Sequence, residues 1–220
     1  IIGPSGTGKS VTLRHMIGLL TPDSGEVIVD GEDIQKLSGQ SRFDQLRKFG
    51  VLFQSSALLA WLSVEDNIAL PLVETNTLSD AEITERVAEA IKMVHLEGAE
   101  KKKPSEISGG MQKRAGLARA IVTRPKILLY DEPTSGLDPV MSRHIDDLTK
   151  ATQKKLGITS VVVTHDLISA FSIADRIAML HDGKIGEIGT VEDFKKSNKD
   201  FVQKFMQAQF SYQDFIGDSK

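Results

Sequence analysis

The stretch "GPSGTGKS" occupies residues 3–10 and fits G-x-x-x-x-G-K-[ST] at every position. Gly3, Gly6 and Gly8 let successive backbone N–H groups curl around phosphate oxygens, which side chains at those positions would block. Lys9 can reach a β- and a γ-phosphate, and the Ser10 hydroxyl can ligate Mg²⁺. Pro4, Ser5 and Thr7 fill the loop between the glycines. Val11 follows, where only a backbone N–H is on offer. Ile1 and Ile2 read as the end of a strand, and residues 11–20 read as a helix whose positive end adds to the cradle. A chance glycine turn has no reason to sit between a strand and a helix.

Working outward, "ILLYDE" at residues 127–132 reads as a buried strand with two carboxylates at its end. Asp131 can hold Mg²⁺ through water, and Glu132 can orient or deprotonate an attacking water. His165 follows the strand "SVVVT". At the carboxyl end of a parallel strand it faces the crevice where ligands bind. Gln54, after the short apolar strand expected at 51–53, can touch Mg²⁺ or water with one end. His15, His95, His144 and His181 lack metal-ligand spacing and read as ordinary polar residues.

"SGGMQKR", residues 108–114, supplies a second cluster of donors: Ser108, Gly109, Gly110 and Met111 at the start of a helix expected over 110–123. Glycine pairs are poor helix formers, at about 1 kcal/mol each relative to alanine. Their presence points to an anion. One chain with two phosphate cradles needs an explanation.

The remainder alternates buried strands with helices, which implies a mostly parallel sheet covered on both faces. Residues 79–95 have Ile83, Val87, Ile91 and Val94 on one helical face, with Ser79 and Glu82 at capping-box spacing. Further helices are expected over 141–156 and 167–174, and hairpins at Asp30-Gly31 and Asp182-Gly183. Residues 191–209 are expected to form one amphipathic helix carrying Phe194, Phe201, Val202 and Phe205. The predicted organisation is a single domain over 1–220. Its nucleotide core takes in 1–61 and 105–190, a helical subdomain is inserted at 62–104, and a C-terminal helix and tail cover 191–220.

Composition bounds the function. The 220 residues are 40% hydrophobic and 26% charged, with a net charge of −3 and no cysteine. Disulfides and thiolate metal sites are excluded, and nothing in the charge argues for nucleic acid. No apolar run approaches the roughly 20 residues that a membrane-spanning helix needs. The lysines at 101–103 read as a solvated loop before Pro104. The sequence begins two residues before the glycine loop with neither methionine nor signal peptide, which reads as an N-terminally trimmed chain.

The order "GPSGTGKS", Gln54, "ISGGMQKR", "ILLYDE", "SGLD", His165 resembles the ATP-binding subunit of an ABC transporter. The resemblance covers essentially the whole chain. It implies the P-loop NTPase fold of those ATPases, α/β with a mostly parallel sheet flanked by helices. It also implies ATP and Mg²⁺ as ligands, with Ser10, Gln54 and Asp131 around the metal and Glu132, His165 and Gln54 as catalytic residues. It accounts for the second cradle. Ser108–Met111 would cap the ATP held on residues 3–10 of a second copy, two ATP molecules being sandwiched head to tail, with Asp138 communicating between the sites. Antiparallel strands and an adenine-stacking aromatic are expected upstream of Ile1.

Departures sharpen the resemblance. Ile107 and Met111 stand where leucine and glutamine are usual, Val11 stands where threonine is frequent, and Gly136 stands where alanine is frequent. "SGTGKSVTLRHMIGLL", the Gln54-Ser55-Ser56-Ala57-Leu58 run and "SGGM" followed by basic residues are similar to the ATPases of Mla/Mce-type lipid transport systems. That implies an integral membrane permease and an MCE-domain lipid-binding protein as partners. The chain would sit peripherally on the cytoplasmic face of the inner membrane. Amino-acid importers and lipoprotein exporters are the alternative transporters. Soluble ABC ATPases of DNA repair are a different class, and they separate the two cradles by a long coiled coil that is missing here. Translation factors of the ABC type join two cassettes, and a non-hydrolysing homologue has no use for intact Lys9, Asp131, Glu132 and His165. In "QSSALLAWL", the apolar residues Leu58, Leu59 and Trp61 beside Gln54 suggest a permease-docking border.

Overall fold

A computed structural model describes the backbone of residues 1–217 and side chains as far as Gln209. The last three residues of the expected tail lie outside the described residues. The glycine loop leads into α1 (Lys9–Met16), followed by the hairpin β1 (Ile28–Val29) and β2 (Glu32–Asp33), α2 (Gly39–Leu46) and β3 (Phe49–Leu52). Then come α3 (Val64–Thr75), α4 (Asp80–Met93), α5 (Gly109–Ile121), β4 (Ile127–Asp131), α6 (Pro139–Leu156), β5 (Thr159–Val163) and α7 (Leu167–Ile173). The hairpin β6 (Ile177–His181) and β7 (Lys184–Gly189) precedes α8 (Val191–Lys195) and α9 (Asp200–Gly217).

β3, β4 and β5 form a parallel sheet in that order. Ile2 extends it, bridging in parallel to Thr164 on one side and Met179 on the other. Its N–H donates to Ala178 O at 2.8 Å and its carbonyl accepts from Leu180 N at 2.9 Å. The residue that leads into the phosphate loop is thereby wedged between β5 and the antiparallel β6–β7 pair. Asp182 and Gly183 close that hairpin with φ of +48° and +72°, the left-handed pair that a tight two-residue turn requires.

Strand β4 explains why the sheet must be covered twice. Leu128 and Tyr130 point into one core with α3, α4 and α5, through Ile68, Ile91 and Leu117. Leu129, one residue out of phase, joins Leu13 of α1, Ile17 just past its end and Val163 on the other face. The period-2 alternation of a strand thus feeds two apolar layers. Close backbone approach helps: a Cβ on Gly116 of α5 would meet Leu52 Cδ1 of β3 at 2.9 Å. A third cluster of Ile2, Leu167, Met179, Phe194 and Val202 seats the C-terminal helices.

Several boundaries move for local reasons. The helix after the loop ends at Met16 rather than at 20, because Ile17 leaves helical geometry and Gly18 turns with φ +66°. Its start is at Lys9. The short strand runs over Phe49–Leu52 rather than 51–53, in register with Ile127 to Tyr130. The single tail helix expected over 191–209 is two. α8 opens with a capping box in which Thr190 Oγ1 accepts from Asp193 N, and it ends before Ser197, where α9 has not begun. α2 was not anticipated. It is half exposed, buries mainly Gln45 and carries no apolar stripe that periodicity would reveal.

Candidate nucleotide site

The glycine loop opens on a helix end without a side-chain cap. Gly8 is the N-cap of α1 with φ +95°, and no side chain accepts from the first turn. Those N–H groups are therefore available to an anion. At Gly6 (φ +83°) and Gly8 a Cβ would meet nothing within 4 Å, so the glycines serve backbone conformation and leave the cradle open. Lys9 is buried and folds back across the loop, donating to Gly3 O at 2.9 Å and Pro4 O at 3.1 Å.

The carboxyl ends of the parallel strands bring the remaining groups to this loop. Ser10 Oγ donates to Asp131 Oδ1 at 2.7 Å. Glu132 lies just past β4 with φ +49°, a conformation that a non-glycine residue adopts at a cost of about 1–3 kcal/mol. Its N–H is held by Val163 O at 2.9 Å, and its carboxylate is 3.7 Å from Lys9 Nζ. His165 Nδ1 sits 2.8 Å from Glu132 Oε2. Lys9, Ser10, Asp131, Glu132 and His165 thus converge from three separate parts of the chain. A hydroxyl beside a carboxylate is a donor set suited to a hard divalent cation, and an ammonium beside open helix N–H groups suits the phosphates that such a cation accompanies.

Gln54 stands differently. It follows β3 at the same edge, but its amide donates to Ser135 Oγ at 3.2 Å. Asp138 caps α6, its Oδ1 accepting from Val140 N at 2.9 Å and Met141 N at 3.0 Å. Ser108 caps α5, accepting from Met111 N at 3.3 Å. Gly110 is buried, and a Cβ there would meet Met141 Cε at 2.5 Å, whereas around Gly109 the space is open. Among the described residues, no hydrogen bond or ion pair joins Ser108, Gly109, Gly110 or Met111 to residues 3–10.

Lys113 escaped the sequence reading. It is 5% exposed, and its ammonium donates to the carbonyls of Gln54 and of Glu132, the latter at 3.4 Å. Burial holds it below the usual lysine range, opposed by the carboxylates of Asp131 and Glu132. Lys113 lies five residues beyond Ser108, on α5, and so ties that helix to both Gln54 and Glu132. The only signal was a basic residue inside "GGMQKR". Asn67, fully buried, was missed as well: it accepts from Leu59 N at 2.7 Å and donates to Leu59 O at 3.1 Å and Ser63 O at 2.9 Å, shaping the loop after Gln54.

Beside that loop lies a groove of about 440 Å³ lined by Phe49, Phe53, Ala57, Leu70, Pro71 and Arg119, among others. Arg119 donates to Ala57 O at 2.6 Å and Ser56 O at 2.7 Å, residues held at positive φ. Leu58 packs against the main core, while Trp61 is 71% exposed.

The chain is similar to known proteins in sequence and in fold. A family profile described as ABC transporter matches residues 1–135. The chain is 43% identical over 206 residues to the probable ribonucleotide transport ATP-binding protein mkl of Mycobacterium tuberculosis (strain ATCC 25618 / H37Rv), covering 94% of this chain and 57% of that protein. It is 42% identical over 207 residues to the spermidine/putrescine import ATP-binding protein PotA of Escherichia coli (strain K12), covering 94% of this chain and 53% of PotA. The chain therefore spans little more than half the length of these relatives. Its fold is similar to a dimeric post-hydrolysis state of the ATP-binding cassette MJ0796 bound to ADP and Pi, with a TM-score of 0.78, 36% identity, and coverage of 86% of this chain and 83% of that one.

Proposed function

This chain belongs to the ABC transporter ATP-binding family, and on that footing we propose that it binds ATP with Mg²⁺ and hydrolyses it to drive a membrane transporter. The observation that carries the reading is the convergence of Lys9, the Ser10–Asp131 pair and the Glu132–His165 pair at one sheet edge. Residues 3–10 hold the phosphates, and Val11 adds its backbone N–H. Ser10 and Asp131 would hold Mg²⁺, with Gln54 within reach of it, and the metal would supply charge neutralisation at the phosphate oxygens. Glu132 takes a proton from water as the water oxygen bonds the γ-phosphorus, and the bond from that phosphorus to the bridging oxygen breaks to leave ADP. His165, through Nδ1, orients the Glu132 carboxylate beside the γ-phosphate.

Ser108, Gly109, Gly110 and Met111 act on the ATP of a second copy. The open space at Gly109 supports this, as does the dimeric state of MJ0796. Asp138, capping α6 nearby, passes the state of one site to the other. In this reading 62–104 acts as a helical subdomain inserted into a core of 1–61 and 105–190, with 191–220 as a C-terminal appendage. An integral permease is the second partner, and nucleic acid is none. The chain sits peripherally at the cytoplasmic face of the inner membrane; among the described residues no helix is long and apolar enough to cross one.

For cargo, the "QSSAL" and "SGGM" features support lipids in an Mla/Mce-type system with an MCE-domain protein. The likeness to PotA, named for spermidine/putrescine import, supports small-solute import as the second reading. Glu132→Gln tests the chemistry. It should retain ATP, turn over at least a hundredfold more slowly, and accumulate as an ATP-bridged dimer with its permease. Wild-type turnover would remove Glu132 as base. Lipid co-purifying with the native permease separates the two cargo readings.

A further inference from the structure

Helix α9 reaches the main chain that carries His165. Gln209 Oε1 accepts from Leu167 N at 2.9 Å, and its Nε2 donates to the His165 carbonyl. Asp166 between them is extended, at φ −83° and ψ 110°. Across an extended residue the preceding carbonyl and the following N–H point the same way, as in a strand ladder. One primary amide can satisfy both. The Leu167 N–H also needs a partner for another reason. Asp166 caps α7 by accepting from Ile168 N at 2.9 Å and Ser169 N at 3.2 Å, which leaves the first donor of that helix open.

The apolar face of α9 brings Gln209 there. Val202 is buried, and Phe205 and Met206 pack with it in the cluster that contains Leu167 and Ala170 of α7. Gln209 is the next position on that stripe, three beyond Met206 and four beyond Phe205. The His165 imidazole itself is 51% exposed. Among the described residues the imidazole's hydrogen bond runs to Glu132 alone, from Nδ1 at 2.8 Å, and the His165 backbone N–H donates to the same carboxylate at 3.3 Å. A side chain with so little packing takes its position from its main chain.

We propose that Gln209 is a positioning residue for His165, and that ATP turnover depends on α9 being docked so that the Gln209 amide holds residues 165–167. This rests on the assignment of Glu132 and His165 made above.

The test uses the full chain assembled with its permease, and measures kcat and KM for ATP from about pH 5 to 8. Gln209→Leu, Gln209→Glu, His165→Ala and the Gln209→Leu/His165→Ala double variant are compared. Gln209→Leu should lower kcat about tenfold with KM for ATP within about twofold of the parent, and should cost nothing further in the His165→Ala background. Gln209→Glu adds a signature that a purely structural contact lacks. Ionised, its carboxylate accepts from Leu167 but cannot donate to His165 O; protonated, it does both. Its kcat relative to the parent should climb as the pH falls toward the carboxyl range. A pH-independent ratio overturns the proposal, even where Gln209→Leu folds poorly. Parental kcat in Gln209→Leu beside a slow His165→Ala overturns it too, as does an undiminished loss in the double variant. If His165→Ala turns over like the parent, the assignment of His165 has failed, and the proposal with it.

Discussion

The Lys9 ammonium lies 3.7 Å from the Glu132 carboxylate, with both side chains almost wholly buried. A buried ion pair returns little net stability, but deleting one partner strands the other. Lys9→Ala therefore loses the one fixed cation of the phosphate loop and leaves Glu132 buried beside open carbonyls. Affinity for ATP–Mg²⁺ should drop by about 1.5–3 kcal/mol, on the order of ten- to a hundredfold. Equilibrium binding of a fluorescent ATP analogue measures this, and parental affinity would sink the cradle assignment.

The Ser10–Asp131 hydrogen bond gives a separable expectation. Asp131→Asn keeps the shape and a hydrogen-bond acceptor but removes the charge that a divalent cation needs. The Mg²⁺ concentration for half-maximal ATPase should rise at least tenfold, while nucleotide binding in EDTA stays near parental. An unchanged Mg²⁺ titration would place the metal elsewhere.

Lys113 predicts coupling between the two cradles. Its ammonium joins α5, which begins at Ser108, to the carbonyls of Gln54 and Glu132. Lys113→Met orphans both carbonyls, at about 1–3 kcal/mol each, so thermal stability should fall. Turnover should fall as well, because the strained turn at Glu132 loses one of its ties. Lys113→Arg, which retains several donors, should recover part of both. Full activity in Lys113→Met would show that the link is incidental.

What the sequence disclosed follows physical range. The capping box of Ser79 and Glu82 is local and forms as read, and the loop at 3–10 leads into a helix as expected. The strand "ILLYD" betrayed itself by being apolar on both faces, and its two cores follow from that. Lys113 and Gln209 were illegible because each acts through backbone atoms far away in sequence, where no side-chain pattern records the partner. The break between α8 and α9 was hidden by apolar residues on both sides; Ser197 and Asn198, both turn formers, were the only local sign. Gln54 was placed by its position after a strand, yet which way its amide turns depends on Ser135, which only the fold supplies.

Gly50 offers a stability test of the layer that supports Gln54. A Cβ there would collide with the Ala120 carbonyl of α5, and Leu128 Cδ1 would be 2.9 Å away. Backbone cannot yield as a flexible side chain can. Gly50→Val should destabilise the chain by about 1–3 kcal/mol or more, read as a lowered denaturation midpoint. A midpoint at the parental value would mean that α5 and β3 are less closely apposed than described.

The loop after Gln54 makes the last prediction. Its apolar residues divide by environment: Leu58 is partly buried against the main core, Leu59 is pinned by Asn67, and Trp61 stands 71% exposed. An aromatic this exposed buries little apolar area within the chain, so its surface is available to a partner. Trp61 is the only tryptophan in the chain, so its fluorescence reports this place alone. Emission from the free subunit should be that of a solvated indole, quenched readily by iodide. Adding the permease should shift it to shorter wavelength and protect it from quenching. Trp61→Ser should leave folding and ATP affinity near parental, since the indole buries little, while transport falls at least fivefold. Leu58→Ser should instead destabilise the subunit itself, because it exchanges a core contact for an unpaired hydroxyl. If the permease leaves Trp61 emission unmoved and Trp61→Ser transports normally, the docking surface lies away from this residue.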